Sequence, residues 1–327
     1  MTPAPMQEPV ARIRELVRSG RFADALHTFR ESGDAARRPD GLLLAATAAT
    51  RLGDLAEARP LAEAAAGAFR ARGDRDGSMR AANLLGVIGF EQGRLQESDP
   101  AFRSALSLAQ ELADSQLVAR ASNNLASLMH LSGRAGDALS LYRSALVAYQ
   151  RLGDRRGTAE TFHNLALVFR QMESWADAEN AADEALRHAE IVGEPSLLSL
   201  VLAGHAEIWV EQGQLTMAEQ ALDRALRLAG EARDELGTAE AQRLKALAAV
   251  GRGDFTAALR EAEAAHAVAV AAGAMLLRAD AAAAQALALR GLGRLDEAEQ
   301  RRAEALDGYR GLGAGHLVAR FERGWAV

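Results

Sequence analysis

Six glycines, Gly53, Gly93, Gly133, Gly213, Gly253 and Gly293, fall on one 40-residue lattice whose only unfilled node is Glu173. Glycine makes up 29 of the 327 residues, so chance alignment has a likelihood on the order of one in ten thousand or less, and the lattice identifies an internal repeat. Other columns keep the register. Five residues after each node stand Ala58, Ser98, Ala138, Ala178, Ala218, Ala258 and Ala298; twelve after it stand Ala65, Ala105, Ala145, Ala185, Ala225, Ala265 and Ala305. Seven before it stand Ala46, Gly86, Ala126, Ala166, Ala206, Ala246 and Ala286. Small side chains at fixed columns are what closely approaching helices need.

One unit reads as a helical hairpin. Between Thr158 and Met172, Phe162, Leu165, Ala166 and Phe169 follow the i, i+3, i+4, i+7 spacing of a helix face. A turn is expected at Glu173 and Ser174, where the other units place a glycine able to adopt the positive φ that ends a helix. A second helix starts near Trp175, carries Ala178, Ala181, Ala182, Ala185 and Leu186 on its buried stripe, and ends at Val192 and Gly193 before Pro195 opens the next unit. A hairpin of this kind cannot bury its own apolar stripe, so units must stack. The expected fold is an all-α solenoid of about eight hairpins forming one continuous domain over 1–327. Within it, 1–6 are a frayed leader, 7–32 an atypical first hairpin and 33–312 seven repeats of 40 residues. A capping helix over 314–323 turns Leu317, Val318 and Phe321 inward and Arg320, Glu322 and Arg323 outward. Pro60 and Pro100 each fall inside a second helix and should bend it.

Composition narrows the function classes. Hydrophobic residues are 49% of the chain but aromatic ones only 5%, which suits packed alanine-rich helices rather than a large β core. The net charge of -6 opposes nucleic-acid binding, which needs a basic face. Lys245 is the only lysine and lies in Arg-Leu-Lys-Ala, so neither a P-loop nor a Schiff-base site is expected. With no cysteine there is no thiol nucleophile or cysteine-held zinc. The most apolar stretch, 262–277, contains Glu263, His266 and Gly273 and falls short of a membrane span. The N-terminus lacks the apolar core of a signal peptide, and a cytoplasmic, bacterial location is expected.

Leu85-Gly86, Leu125-Ala126 and Leu165-Ala166, followed by Ser98 to Phe102 and Ala138 to Tyr142, resemble the tetratricopeptide pattern of Leu-Gly-x-x-Tyr, Gly, then Ala-x-x-x-Phe. The 40-residue spacing, with Leu152-Gly153-Asp154-Arg155-Arg156-Gly157 followed by Asn164-Leu165-Ala166, is similar to the variety found in Leu-Gly-Asn repeat adaptors, kinesin light chain and bacterial maltotriose-sensing regulators. The resemblance implies a right-handed solenoid. Repeats 7 and 8 depart from the pattern, with Lys245-Ala246 and Gln285-Ala286 at the Leu-Gly positions.

The resemblance also implies that first helices line a concave groove that holds partners. The positions facing it in repeats 3 to 5 are Arg80, Asn83, Arg120, Asn123, Asn124, Ser127, His130, Glu160, His163, Asn164, Arg170 and Gln171. Asparagine amides both donate to and accept from a peptide backbone, and arginine forks suit carboxylates. The groove is expected to be basic through Arg80, Arg120 and Arg170 and acidic further on through Glu207, Glu211 and Glu240. No His-Glu-x-x-His helix, Gly-x-Ser-x-Gly elbow or Gly-x-Gly-x-x-Gly loop occurs, so neither catalysis, nor a cofactor, nor a metal site is expected. Three functions follow: a scaffold binding a peptide or helix of a partner protein, a peptide or small-molecule sensor acting in trans on a regulator, and a homodimer formed through the alanine-rich repeats 7 and 8.

Overall fold

The computed structural model describes residues 8–325, so the leader expected over 1–6 lies outside them. The chain divides into two compact units, Met1–Asn124 and Leu125–Val327. The first holds α1 (Glu8–Arg18), α2 (Phe22–Glu31), α3 (Pro39–Arg51), α4 (Leu55–Ala71), α5 (Arg75–Glu91), α6 (Leu95–Glu111) and the opening turns of α7 (Ser115–Leu131), with a 3₁₀ turn at Gly33–Ala35. The second holds the end of α7, then α8 (Ala135–Leu152), α9 (Arg155–Gln171), α10 (Trp175–Val192), α11 (Pro195–Glu211) and α12 (Leu215–Ala232). It continues through α13 (Glu235–Arg252), α14 (Phe255–Ala271), α15 (Met275–Gly291), α16 (Leu295–Gly311) and α17 (Gly315–Trp325). The helices run as eight consecutive hairpins and a final single helix, and no strand occurs among the described residues. No described helix is long and apolar enough to cross a membrane.

The backbone repeats at twice the frequency of the glycine lattice. From Gly53 to Gly313, every twentieth residue has positive φ, because the turn inside each hairpin and the turn between hairpins use the same left-handed residue. Glu173, the unfilled node, adopts φ 56 as its glycine counterparts do; Ala113 (φ 53) and Arg233 (φ 54) stand on the interleaved lattice. After each such residue except Gly193 the next N–H reaches back five residues, as from Asp154 to the Tyr149 carbonyl at 3.0 Å, which closes the helix end.

The Leu-Gly-Asp-x-x-Gly phrase is explained step by step. Gly153 supplies φ 69, Asp154 caps α9 by accepting from the Gly157 N–H at 2.9 Å, and Gly157 lets the Tyr149 ring lie against the helix. A Cβ at Gly157 would stand 2.5 Å from that ring. Asp74 and Gly77 repeat the arrangement beneath Phe69, so Asp74-Arg-Asp76-Gly77 is a helix cap. Where the earlier helix carries Ala109 or Ala189 at this column, the facing residue is Leu117 or Leu197, packed with it in one apolar cluster. Large meets small at each of these junctions, which conserves the filled volume.

Within the hairpins the alanine columns are fully buried, among them Ala58, Ala65 and Ala46 in the first unit and Ala178, Ala185 and Ala166 in the second. α4 continues through Pro60 and α6 through Pro100 without a break in helix. In the alanine-rich α15, Ala281, Ala282, Ala284, Ala286 and Ala288 are buried within their own unit.

A non-glycine residue in the left-handed region costs about 1 to 2 kcal/mol, so Ala113→Gly is expected to stabilise the chain by about 0.5 to 1 kcal/mol after about 0.5 to 1 kcal/mol for the unfolded-state entropy of glycine is deducted. Gly153→Ala, its counterpart one repeat later, is expected to destabilise by at least as much. Urea unfolding of the two variants checks both directions.

Candidate functional site on the first helices

In the first unit the expected groove residues lie on α5 and α7. Asn124 donates from Nδ2 to Asn83 Oδ1 at 2.9 Å, joining two successive first helices. Arg80 is ion-paired with Asp76 one turn earlier on α5. Asn123 is half-buried on α7. Arg120 is exposed one turn before Asn124 on the same helix face, with no ion-pair partner among the described residues.

In the second unit most of the expected residues are engaged by the protein itself. Ser127 shares a hydrogen bond with the Tyr142 hydroxyl at 2.9 Å, and Glu160 accepts from Arg156 at 3.0 Å. His163 is buried against Gly204, Asn164 and Gln171 are half-buried, and Gln171 Oε1 has no hydrogen-bond partner among the described residues. Arg170, expected on an open groove, is buried and ion-paired with both Glu207, at 3.4 Å, and Glu211.

These pairs belong to a larger network. Glu207 also accepts from Arg243 at 3.1 Å, Arg243 Nε donates to Glu240 at 2.9 Å, and Arg320 of α17 donates to Glu211 at 3.2 Å. Asp280 accepts from the Tyr309 hydroxyl at 2.7 Å on the edge of the same cluster. The side chains of Arg170, Glu207 and Arg243 are only 9%, 11% and 5% exposed, so their charges are compensated by one another and not by water. The basic and acidic ends expected of the groove are therefore, from Arg170 onward, partners of each other; Arg320, expected outward, is one of them.

Burial alone would raise the Glu207 carboxyl, but Arg170, Arg243 and Arg320 overcome it and hold it at about 2. Burial lowers His130 to about 4, with Arg170, His316 and Arg320 pushing the same way. His163 is likewise lowered to about 4, mainly by burial, with Glu207 opposing and Arg170 assisting. Asp280 is raised by burial, which its attraction to Arg243 and its bond from Tyr309 do not cancel.

Arg243, Asp280, Tyr309 and Arg320 were not among the expected site residues. A signal for the first two exists: Arg170, Glu207, Arg243 and Asp280 alternate in sign at steps of 37, 36 and 37 residues. Each step is about one helical turn short of the 40-residue period, so charges on successive helices lie along one diagonal. Among the described residues no group of three or more His, Asp or Glu is placed to hold a metal ion.

Sequence models described as Tetratricopeptide repeat match residues 117–191 and, in two overlapping stretches, 10–72 and 43–110. The chain belongs to the tetratricopeptide repeat family. No curated protein matches it. Among solved structures, a Rap protein complexed with Competence and Sporulation Factor aligns at TM-score 0.80 and 13% identity, covering 95% of this chain and 88% of that one. NprR in complex with its cognate peptide NprX aligns at 0.68 and 12%, covering 99% and 97%. BtubC from P. vanneervenii aligns at 0.51 and 22%, covering 71% and 93%. These likenesses are of fold, that of an all-α tetratricopeptide solenoid.

Two tests follow for this tetratricopeptide repeat protein. Glu207→Gln leaves Arg170 and Arg243 buried without their shared carboxylate and is expected to cost about 3 to 5 kcal/mol. Glu97→Gln, which removes a partner of Arg59 at the surface, is expected to cost less than about 1 kcal/mol. Chemical denaturation of the pair separates the two environments.

Acid should weaken the fold before most carboxylates titrate. His130 and His163 have folded values near 4 against an ordinary 6.5, so the unfolded chain binds more protons between these limits. Stability that is complete above pH 6.5 is lost as pH falls toward 4. Glu207, held at about 2, adds its loss below 4.5, while Asp280, raised, favours the folded state over the opposite limb. The unfolding free energy is expected to fall by about 2 kcal/mol per pH unit near pH 5, and His130→Gln with His163→Gln is expected to flatten that slope.

Proposed function

We propose that this chain is a non-catalytic scaffold that holds an extended peptide of a partner protein on its first-helix faces, with the primary contact on α5 and α7. The observation that carries this reading is Arg120. It is exposed and without an ion-pair partner among the described residues, and it shares a helix face with Asn124, whose amide is already oriented by Asn83. A free guanidinium beside fixed amides suits a peptide carboxylate and the backbone next to it. The charges of Arg170, Glu207, Arg243 and Glu240 on α9, α11 and α13 are engaged within the protein, which leaves recognition to groups such as Arg120. Solved structures of the same fold include a Rap protein with Competence and Sporulation Factor and NprR with NprX, which supports a peptide as the ligand class.

A second reading is a peptide sensor that acts in trans on a regulator. It is favoured by the likeness to the Rap conjugation gene regulator of plasmid pLS20 in complex with the Phr* peptide, at TM-score 0.68 and 16% identity over 83% of this chain.

Selection of peptides from a displayed random library against the full chain tests the binding reading. Recovered peptides are expected to share a carboxylate and to lose roughly tenfold or more in affinity, about 1.4 kcal/mol, against Arg120→Ala with Asn124→Ala. Failure to recover any peptide, or equal affinity for the variant, contradicts the assignment. A change in radius of gyration on adding a selected peptide would favour the sensor over the passive scaffold.

A further inference from the structure

A helix that only capped the last hairpin would touch α15 and α16. α17 reaches further within the second unit. His316 lies against the turn that follows α7, where a Cβ built on Gly133 would stand 3.1 Å from His316 Nδ1. Arg320 donates to Glu211, the last residue of α11, at 3.2 Å. The carbonyl of Trp325 accepts from Arg290, in the last turn of α15, at 2.6 Å, and the Arg290 guanidinium lies 4.7 Å from the centre of the Trp325 ring. Successive positions of α17 thus meet the C-terminal ends of three first helices, while Leu317, Val318 and Phe321 rest on Ala279, Ala282, Ala283 and Tyr309. The helix lies across the first-helix face as a bound segment would.

Its hold is weak for an element in that position. No residue of α17 is buried, and its 11 residues are too few for a helix stable on its own. It is joined to α16 through the three residues Leu312-Gly313-Ala314, with φ 66 at Gly313. His316 Nδ1 on the helix and Arg170 Nε in the network it meets are buried without a hydrogen-bond partner among the described residues, which subtracts from the gain of seating it.

We propose that α17 is an exchangeable occupant of this face, and that the segment able to replace it is an amphipathic helix of a partner protein carrying an aliphatic pair, an arginine and an aromatic in the order of Leu317-Val318-Ala319-Arg320-Phe321. The chemistry follows from what its departure uncovers. Without Arg320, the two buried arginines face Glu207, Glu211 and Glu240, an excess of one carboxylate, beside an apolar patch of Ala279, Ala282, Ala283 and Tyr309. A replacement must supply both a cation and an apolar stripe. The proposal rests on the peptide-binding reading but uses a different seat from Arg120, so either assignment can fail alone.

The test uses a labelled synthetic peptide of residues 314–325 and the full-length chain, unaltered or with Arg320→Glu and Phe321→Asp to unseat α17. Fluorescence anisotropy is expected to show at least tenfold tighter binding to the unseated variant, reduced at least tenfold again when Glu211→Gln is added. Equal affinity for both chains, or no binding to a variant that keeps its helical circular dichroism, overturns the proposal. Hydrogen exchange on the unaltered chain decides the matter should the variant not fold. Amides of α17 are expected to exchange at least a hundredfold faster than those of α11 and α15, and protection equal to theirs overturns the exchangeable seat.

Discussion

Everything in this protein depends on a backbone reversal that recurs every twenty residues through a single left-handed residue. Because each helix from α4 to α16 has 17 or 18 residues and each turn the same left-handed residue, these helices deliver their columns to their neighbours in the same phase. The alanine ladders follow from that phase, since a small residue placed once at the right column is placed correctly in every repeat. Three of the reversals are made by Ala113, Glu173 and Arg233. Glycine is thus the inexpensive solution to the turn and not a requirement of it, provided that the helices on both sides are held by packing.

Fixed phase has an electrostatic consequence in the second unit. Side chains that advance one turn per repeat come within reach of each other across successive first helices, and there the signs alternate from Arg170 through Glu207 to Arg243. Such a chain of charges contributes little net stability over an apolar core, because desolvation offsets most of the attraction. Its effect is on register: a helix displaced by one turn would set a buried charge without its counterpart. While α17 is seated, the same satisfaction keeps these residues from recognition, which is why an exposed and uncommitted arginine outweighs several buried ones in the functional reading.

The architecture was legible because it is periodic. The lattice fixed the number of hairpins, and the limits of α10 agree with the expected Trp175 and Val192. The start of α9 lies at Arg155, earlier than the apolar pattern from Thr158 suggested, since the Asp154 cap and not the apolar stripe sets it. The interleaved lattice at Gly73, Gly153, Gly193, Gly273 and Gly313 is less legible as glycine spacing, because Ala113 and Arg233 interrupt it. The site was legible as positions and not as engagements. Spacing placed Arg170 and Glu207 on neighbouring first helices, but whether two such groups point to solvent or to each other depends on burial. The contact of Arg320 with Glu211, across 109 residues of sequence, follows no repeat period at all.

The junctions in which Phe69 faces Gly77 and Ala109 faces Leu117 bear on how such a chain can change over time. At these junctions, as at Tyr149 with Gly157 and Ala189 with Leu197, the residue at the end of one repeat and its counterpart at the start of the next form a matched key, so the heritable module there is offset from the hairpin and runs from the middle of one repeat to the middle of the following one. Duplication or loss of a segment cut at those midpoints would carry each large residue together with its small counterpart. A segment cut at the hairpin boundaries would join Phe69 to a leucine or Ala109 to a glycine, leaving an overlap in one case and a hole in the other. Repeat number can therefore drift in this architecture while the order of neighbours is conserved.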